Sequence, residues 1–326
     1  MFHIWDVEFT KLKLSSFPTH PPDTKAPMLR GAFCYYKCMA TTSSPIHSAR
    51  IKTEGDELFY EIRGKGQPII LIPPAGGDGW HYAKIAEILA DEYKVITFDR
   101  RANARSTINN PQNFEMSQQS RDVIAVLRAA GETSAFVFGN SSGAAIALDV
   151  AKTQPQAVRA VIAHEPPTAR VHPQSKKWQS FFAHVYAMSF RYGSSMAALR
   201  FFFGIQVPAL KMVKATAGPN AHQKQSKDPY IDPKTATDFL VRQELLPVTN
   251  YLPDTARIKQ NKVEVIMGVS EYARAKKTWL AEITRILAKQ LDCKLVTFPG
   301  HHGSFLDMSE EFAAVLRSVL KEATLK

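Results

Sequence analysis

The segment Phe136-Val137-Phe138-Gly139-Asn140-Ser141-Ser142-Gly143-Ala144-Ala145 joins β-branched and aromatic residues to an alanine-rich stretch, with Ser141 at the junction and glycines two positions to either side. The first part reads as a buried strand and the second as a helix, so the chain must turn sharply between them. Only small residues at 139 and 143 let strand and helix approach closely, and a strained turn there lifts the serine oxygen clear of the sheet. Ser142 would then open the helix and offer its backbone N–H to a developing oxyanion. A GxSxG string also arises by chance in Ser/Gly-rich turns; the strand before it and the helix after it favour a nucleophile elbow.

The same alternation runs through most of the chain. Short apolar strands are expected at Arg50 to Thr53 and Leu58 to Arg63 as an antiparallel hairpin, then at Pro68 to Ile72, Lys94 to Phe98, Ala135 to Phe138, Val158 to Ala163, Val263 to Met267 and Lys294 to Phe298. Amphipathic helices are expected near His81 to Ala90, Met116 to Ala130, Ser142 to Gln154, Ala275 to Leu291 and Ser309 to Glu322. Strands separated by helices imply a mostly parallel sheet covered on both faces.

The alternation stops after Ala163. From about Thr168 to Lys262 the sequence is helical and rich in aromatics, among them Trp178, Phe181, Phe182, Tyr186 and Phe201. Such a stripe is more often core than ligand box. An insertion at this point nevertheless sits over the carboxyl ends of the strands, where ligands bind. The expectation is a helical cap over 168–262, whose underside lines an apolar substrate pocket, on a core of 46–167 and 263–326. Residues 1–45, with Pro18, Pro21, Pro22 and Pro27 and no sustained periodicity, are expected to be a disordered or loosely attached extension, and Met39 offers an alternative start.

Composition narrows the function classes. With 326 residues and 45% apolar content, the chain can bury one large α/β core with an insertion, or two modest domains. No apolar run reaches the ~18 residues of a membrane span. The nearest, Ser195 to Val213, contains Arg200, Gly204 and Pro208. The first residues lack the apolar region of a secretory signal, which predicts a cytoplasmic enzyme. The net charge of +11 comes from basic residues interleaved with acids along the whole chain, which argues for a solvated surface and against a nucleic-acid partner. Cys34, Cys38 and Cys293 are too few for a disulfide framework, and the first two lack further zinc ligands.

A serine hydroxyl needs a histidine base, and the histidine needs a carboxylate. Phe298-Pro299-Gly300-His301-His302-Gly303 lies between the last strand and the last helix, at the same sheet edge as Ser141, and His302 is the chosen base with His301 as its neighbour. Two acids compete. Glu165, in His164-Glu165-Pro166-Pro167, is pinned by the prolines that follow it; Glu271, after the next strand, would reach the histidine from the other side. Glu165 as a cap of an inserted helix and Glu271 as a solvated loop acid are the structural alternatives. A second oxyanion donor is expected from Pro73-Pro74-Ala75-Gly76-Gly77, with Ala75 first and Gly76 next, although a Gly-rich turn is also simply a turn.

On these motifs the chain from about Arg50 onward resembles the α/β-hydrolase superfamily, and within it the zearalenone hydrolases, which are fungal lactonases, and related uncharacterised hydrolases. The stretches that carry the likeness are Leu71-Ile72-Pro73, Thr97-Phe98-Asp99, Gly139 to Gly143, His164-Glu165-Pro166-Pro167-Thr168 and Pro299-Gly300-His301-His302. The resemblance implies the α/β-hydrolase fold with a helical lid insertion, and it implies Glu165 over Glu271 as the acid and His302 as the base. Two departures stand out: Arg101-Ala102-Asn103-Ala104-Arg105-Ser106 replaces a more usual Arg-Gly-x-Gly-x-Ser, and Pro74-Ala75 occupies the donor loop where the lactonases carry an Asp-Gly pair.

The expected activity is a serine hydrolase acting on an ester or lactone of a moderately large apolar molecule, with no metal or organic cofactor. A carbon–carbon bond hydrolase or a secondary-metabolite biosynthetic enzyme would use the same residues. A ligand-binding protein with a vestigial triad is the alternative from another class. Oligomeric state is not legible.

Overall fold

The computed structural model describes residues 45–109, 114–216 and 228–324. The expected N-terminal extension, apart from its last position, together with Met39, Cys34 and Cys38, lies outside the described residues. Eight strands, β1 (His47–Thr53), β2 (Asp56–Arg63), β3 (Gln67–Ile72), β4 (Tyr93–Phe98), β5 (Ala135–Asn140), β6 (Val158–His164), β7 (Val265–Ser270) and β8 (Lys294–Phe298), form one sheet in the order β1-β2-β4-β3-β5-β6-β7-β8. The β1–β2 hairpin is antiparallel and β2 runs antiparallel to β4; the pairings from β4 through to β8 are parallel.

The strands alternate between two cores. Ile69 and Leu71 of β3 join Phe136 and Phe138 on one face, whereas Ile70 and Ile72 join Val137 and Val161 on the other. Both sets are fully or almost fully buried, as expected of a parallel sheet with both faces covered. Helices α1 (Ala83–Leu89), α2 (Met116–Ala129) and α3 (Ser142–Thr153) are crossovers between strands. Between β6 and β7 the described residues form α4 (Ser175–Tyr192), α5 (Ser194–Gly204), α6 (Ala209–Thr216), α7 (Pro233–Phe239), a π-helical turn (Leu240–Glu244), α8 (Leu245–Thr249) and α9 (Thr255–Gln260). Helices α10 (Glu271–Lys276), α11 (Trp279–Leu291) and α12 (Ser309–Thr324) complete the described chain.

Of the expected boundaries that moved, two bear on the site. The single helix expected over Ala275–Leu291 is broken, because Lys277 takes a left-handed conformation (φ 51°) and Thr278 starts α11 afresh by accepting the N–H of Ala281. The seventh strand runs from Val265 to Ser270, later than its expected start at Val263. That extension brings Ser270 to the carboxyl edge of the sheet.

The aromatic stripe divides between packing and exposure. Trp178 and Phe182 are buried, and Trp178 stacks on Trp279 of α11 with ring centroids 4.6 Å apart, docking α4 on the core. Phe190, Tyr192 and Phe203 face solvent.

Candidate active site

The turn from β5 into α3 follows from its glycines. Ser141 sits at φ 57°, ψ −124°, a conformation that a non-glycine residue holds only where its surroundings enforce it. A Cβ on Gly139 would lie 2.1 Å from the Gly143 carbonyl oxygen, and one on Gly143 would lie 2.2 Å from that of Ile72. No larger residue fits either position. The Ser141 N–H donates to the His164 carbonyl on the neighbouring strand (2.9 Å), tying the corner to β6. Ser142 is the first residue of α3, so its N–H belongs to the first turn, whose donors have no acceptor within the helix.

Glu165 and His302 meet at this edge. His302 Nδ1 lies 2.6 Å from Glu165 Oε2. Glu165 Oε1 accepts from both the N–H (2.8 Å) and the hydroxyl (2.7 Å) of Ser270. Burial alone would raise the Glu165 carboxyl, but the hydrogen bonds from His302 and Ser270 and the neighbouring imidazoles outweigh it and hold it down at about 2. An ionised carboxylate bonded to Nδ1 keeps the proton on that nitrogen and leaves Nε2 as the basic one. Ser270 is a supporting residue that the sequence reading missed; its only signal was its place at the end of a strand on the same sheet edge as Glu165.

Glu271 is placed elsewhere. Its side chain is exposed and accepts the Gly300 N–H (3.1 Å), so it holds the histidine loop by its backbone rather than touching an imidazole. His301 turns the other way, with Nε2 3.0 Å from Asp307 Oδ2.

Ser141, Ser142, Ala75 and His302 line one cleft; Gly76 does not. The remaining wall is mostly apolar, from Phe201 of α5, Ile205 just after it, Leu240 of the π-helical turn, Leu245 and Val248 of α8, and Trp279 of α11. Among the described residues Ser141 Oγ makes no hydrogen bond. Such contacts are commonly long before substrate is bound.

His164 packs behind this arrangement, its ring 6.4 Å from that of His302 and fully buried. Its Nδ1 lies 2.5 Å from Asn140 Oδ1, which can only accept, so that nitrogen carries the proton. Desolvation pushes its pKa down to about 4, so it is neutral at pH 7. His164, Glu165 and His302 offer ligand atoms within 4.8 Å of one another. A cation there would have to displace the hydrogen bonds that join Glu165 to His302 and Ser270.

The departures at 101–106 are structural. Ala102 and Ala104 both hold positive φ (60° and 47°), where glycine would be unstrained. Arg101 offsets this by bridging two buried carboxylates, Asp56 (2.5 Å) and Asp122 (2.7 Å).

A parallel sheet with an antiparallel edge, a strained serine corner after the fifth strand and a histidine loop after the last one define an α/β-hydrolase, and a family model described as the alpha/beta hydrolase fold matches residues 67–193. The chain has the α/β-hydrolase fold and is an enzyme. It is 25% identical over 281 residues to the uncharacterized hydrolase YraK of Bacillus subtilis (strain 168), a match covering 85% of this chain and 97% of that protein. It is 30% identical over 128 residues to a zearalenone hydrolase of Cladophialophora bantiana, covering 38% of this chain and 48% of that protein. Among solved structures it superposes on a thermophilic esterase from Thermogutta terrifontis with TM-score 0.66 at 18% identity, covering 85% of this chain and 99% of that one. The likeness read from the motifs is borne out at the level of the superfamily and of its zearalenone hydrolase relative. No helix among the described residues is long and apolar enough to cross a membrane.

Proposed function

We propose that the protein is a serine hydrolase that cleaves an ester or lactone of a moderately large apolar molecule through an acyl-enzyme. The observation that carries this reading is the 2.6 Å contact between His302 and a buried, ionised Glu165, with His302 and Ser141 lining the same apolar cleft. His302 Nε2 takes the Ser141 proton as Oγ attacks the carbonyl carbon. The backbone N–H groups of Ser142 and Ala75 receive the negative oxygen; a single such donor is typically worth about 10² to 10³ in turnover. Glu165 orients the imidazole and stabilises it once it is charged. His302 then passes its proton to the departing alkoxide, and the acyl group remains on Oγ. Water repeats the sequence in reverse, giving up its proton to His302 as it attacks and leaving the acid and a free serine. The helices between β6 and β7 act as a lid whose apolar underside holds the substrate. The partial likeness to a zearalenone hydrolase supports the ester or lactone class.

A fluorophosphonate probe tests the reading. It should label the wild-type protein on Ser141, and labelling should vanish in Ser141→Ala. A folded protein that resists the probe, yet is stabilised by apolar ligands, would instead be a binding module.

A further inference from the structure

Glu244 ends the π-helical turn Leu240–Glu244 and is 2% exposed, yet it lines the cleft that holds Ser141 and His302. One of its oxygens is engaged: Oε1 lies 2.8 Å from Arg100 Nη2, which also donates to the Pro74 carbonyl (2.8 Å) beside the donor loop. The other oxygen, Oε2, is buried without a hydrogen-bond partner. A buried acceptor left unpaired typically costs about 1 to 3 kcal/mol. On the cleft wall Leu240, Leu245 and Val248 carry no side-chain donor and the Thr249 hydroxyl is spent on the Leu245 carbonyl (2.7 Å), while Arg100 Nε and Nη1 are buried without a partner and make no hydrogen bond to Oε2. Helical turns of the π type are frequent at functional sites, because the extra residue re-aims side chains locally.

We propose that Glu244 Oε2 is a substrate-recognition site that accepts a hydrogen bond from a hydroxyl carried by the substrate away from its scissile carbonyl. The proposal deepens the hydrolase reading by naming the substrate class, and rests on it only for turnover. The Arg100 guanidinium balances the Glu244 charge, so the pair is neutral. An ammonium group would therefore be desolvated without a net opposite charge to meet it, whereas a hydroxyl supplies the missing donor at small cost. The apolar surroundings strengthen that bond and sharpen the discrimination against substrates without it.

The test uses methyl ketones of four to ten carbons, each made with a terminal hydroxyl or with a terminal fluorine of nearly the same size but no donor. Binding is measured calorimetrically to Ser141→Ala, where no turnover or covalent adduct intervenes. At the length that reaches Glu244, the hydroxy ketone should bind about ten- to a hundredfold more tightly than its fluoro partner. An apolar cleft with no waiting acceptor would favour the fluoro ligand at every length, and that result overturns the proposal. In Glu244→Gln on the Ser141→Ala background the hydroxy-to-fluoro ratio should fall by at least about tenfold, whatever happens to absolute affinity. A ratio unchanged in a folded variant also overturns it. If that variant does not fold, the ligand ratio in Ser141→Ala decides alone. The 4-nitrophenyl esters of the matching ω-hydroxy and ω-fluoro acids separate the two readings. Equal hydrolysis of both by the wild-type protein removes the recognition site and keeps the hydrolase; discrimination in binding with no hydrolysis of either removes the hydrolase and keeps the site.

Discussion

His302 and Glu165, 137 positions apart in the chain, are joined by a 2.6 Å contact between Nδ1 and Oε2 at the carboxyl edge of the sheet. Glu271, the competing acid, contacts the same loop only through the Gly300 N–H. Glu165→Gln should therefore lower kcat by about 10³- to 10⁴-fold, since an amide cannot hold the imidazole in the basic tautomer. Glu271→Gln should cost less than about threefold, because only a backbone hydrogen bond to a partly exposed loop is weakened. Steady-state kinetics on a chromogenic ester measure both; equal losses, or the reverse order, would remove Glu165 from the triad.

The serine corner tolerates no side chain beside it. Gly143→Ala places a methyl about where the Ile72 carbonyl oxygen already stands, and neither strand nor helix can yield without breaking the sheet. The expected loss is about 3 kcal/mol or more in urea unfolding. A loss below about 1 kcal/mol would contradict the close approach.

Acid should draw stability from the fold through His164. Its pKa is about 4 when folded against an ordinary 6.5, so between those values the unfolded chain binds the extra proton and stability falls as pH falls. His164→Gln should flatten the slope of stability against pH across that window by about one proton. Glu165 acts lower down. Its depressed carboxyl contributes stability that is complete above about 4.5 and is lost as pH drops toward about 2.

Arg101 joins two buried acids, Asp56 at the start of β2 and Asp122 of α2. Arg101→Met would leave both carboxylates uncompensated and should cost about 3 to 5 kcal/mol. Adding Asp56→Asn and Asp122→Asn to the same protein should recover a substantial part of that loss, because the stranded charges are then gone. Urea unfolding of the single and triple variants measures the difference.

Local sequence determined a great deal here. The strands, the crossover helices and the serine corner were legible because strand and helix periodicity, and the small residues that a tight turn demands, are encoded within a few positions of one another. Chain order further limited the base to the histidine loop and the acid to two strand ends. Where a single left-handed residue interrupts a good helical pattern, as at Lys277, the same local signal overran the break. The choice between Glu165 and Glu271 was different in kind: both satisfy chain order, the family resemblance alone favoured Glu165, and the sheet's register sets which strand end faces the histidine. Ser270 beneath Glu165 had only its place at a strand end as a signal, and Glu244 against Arg100 had none. Each looks like an ordinary polar residue in its own segment, and the partners lie 105 and 144 positions away. Tertiary packing alone removed those groups from water and chose their partners: hydrogen bonds from His302 and Ser270 keep the buried Glu165 carboxyl ionised, and Glu244 is left with one oxygen unpartnered.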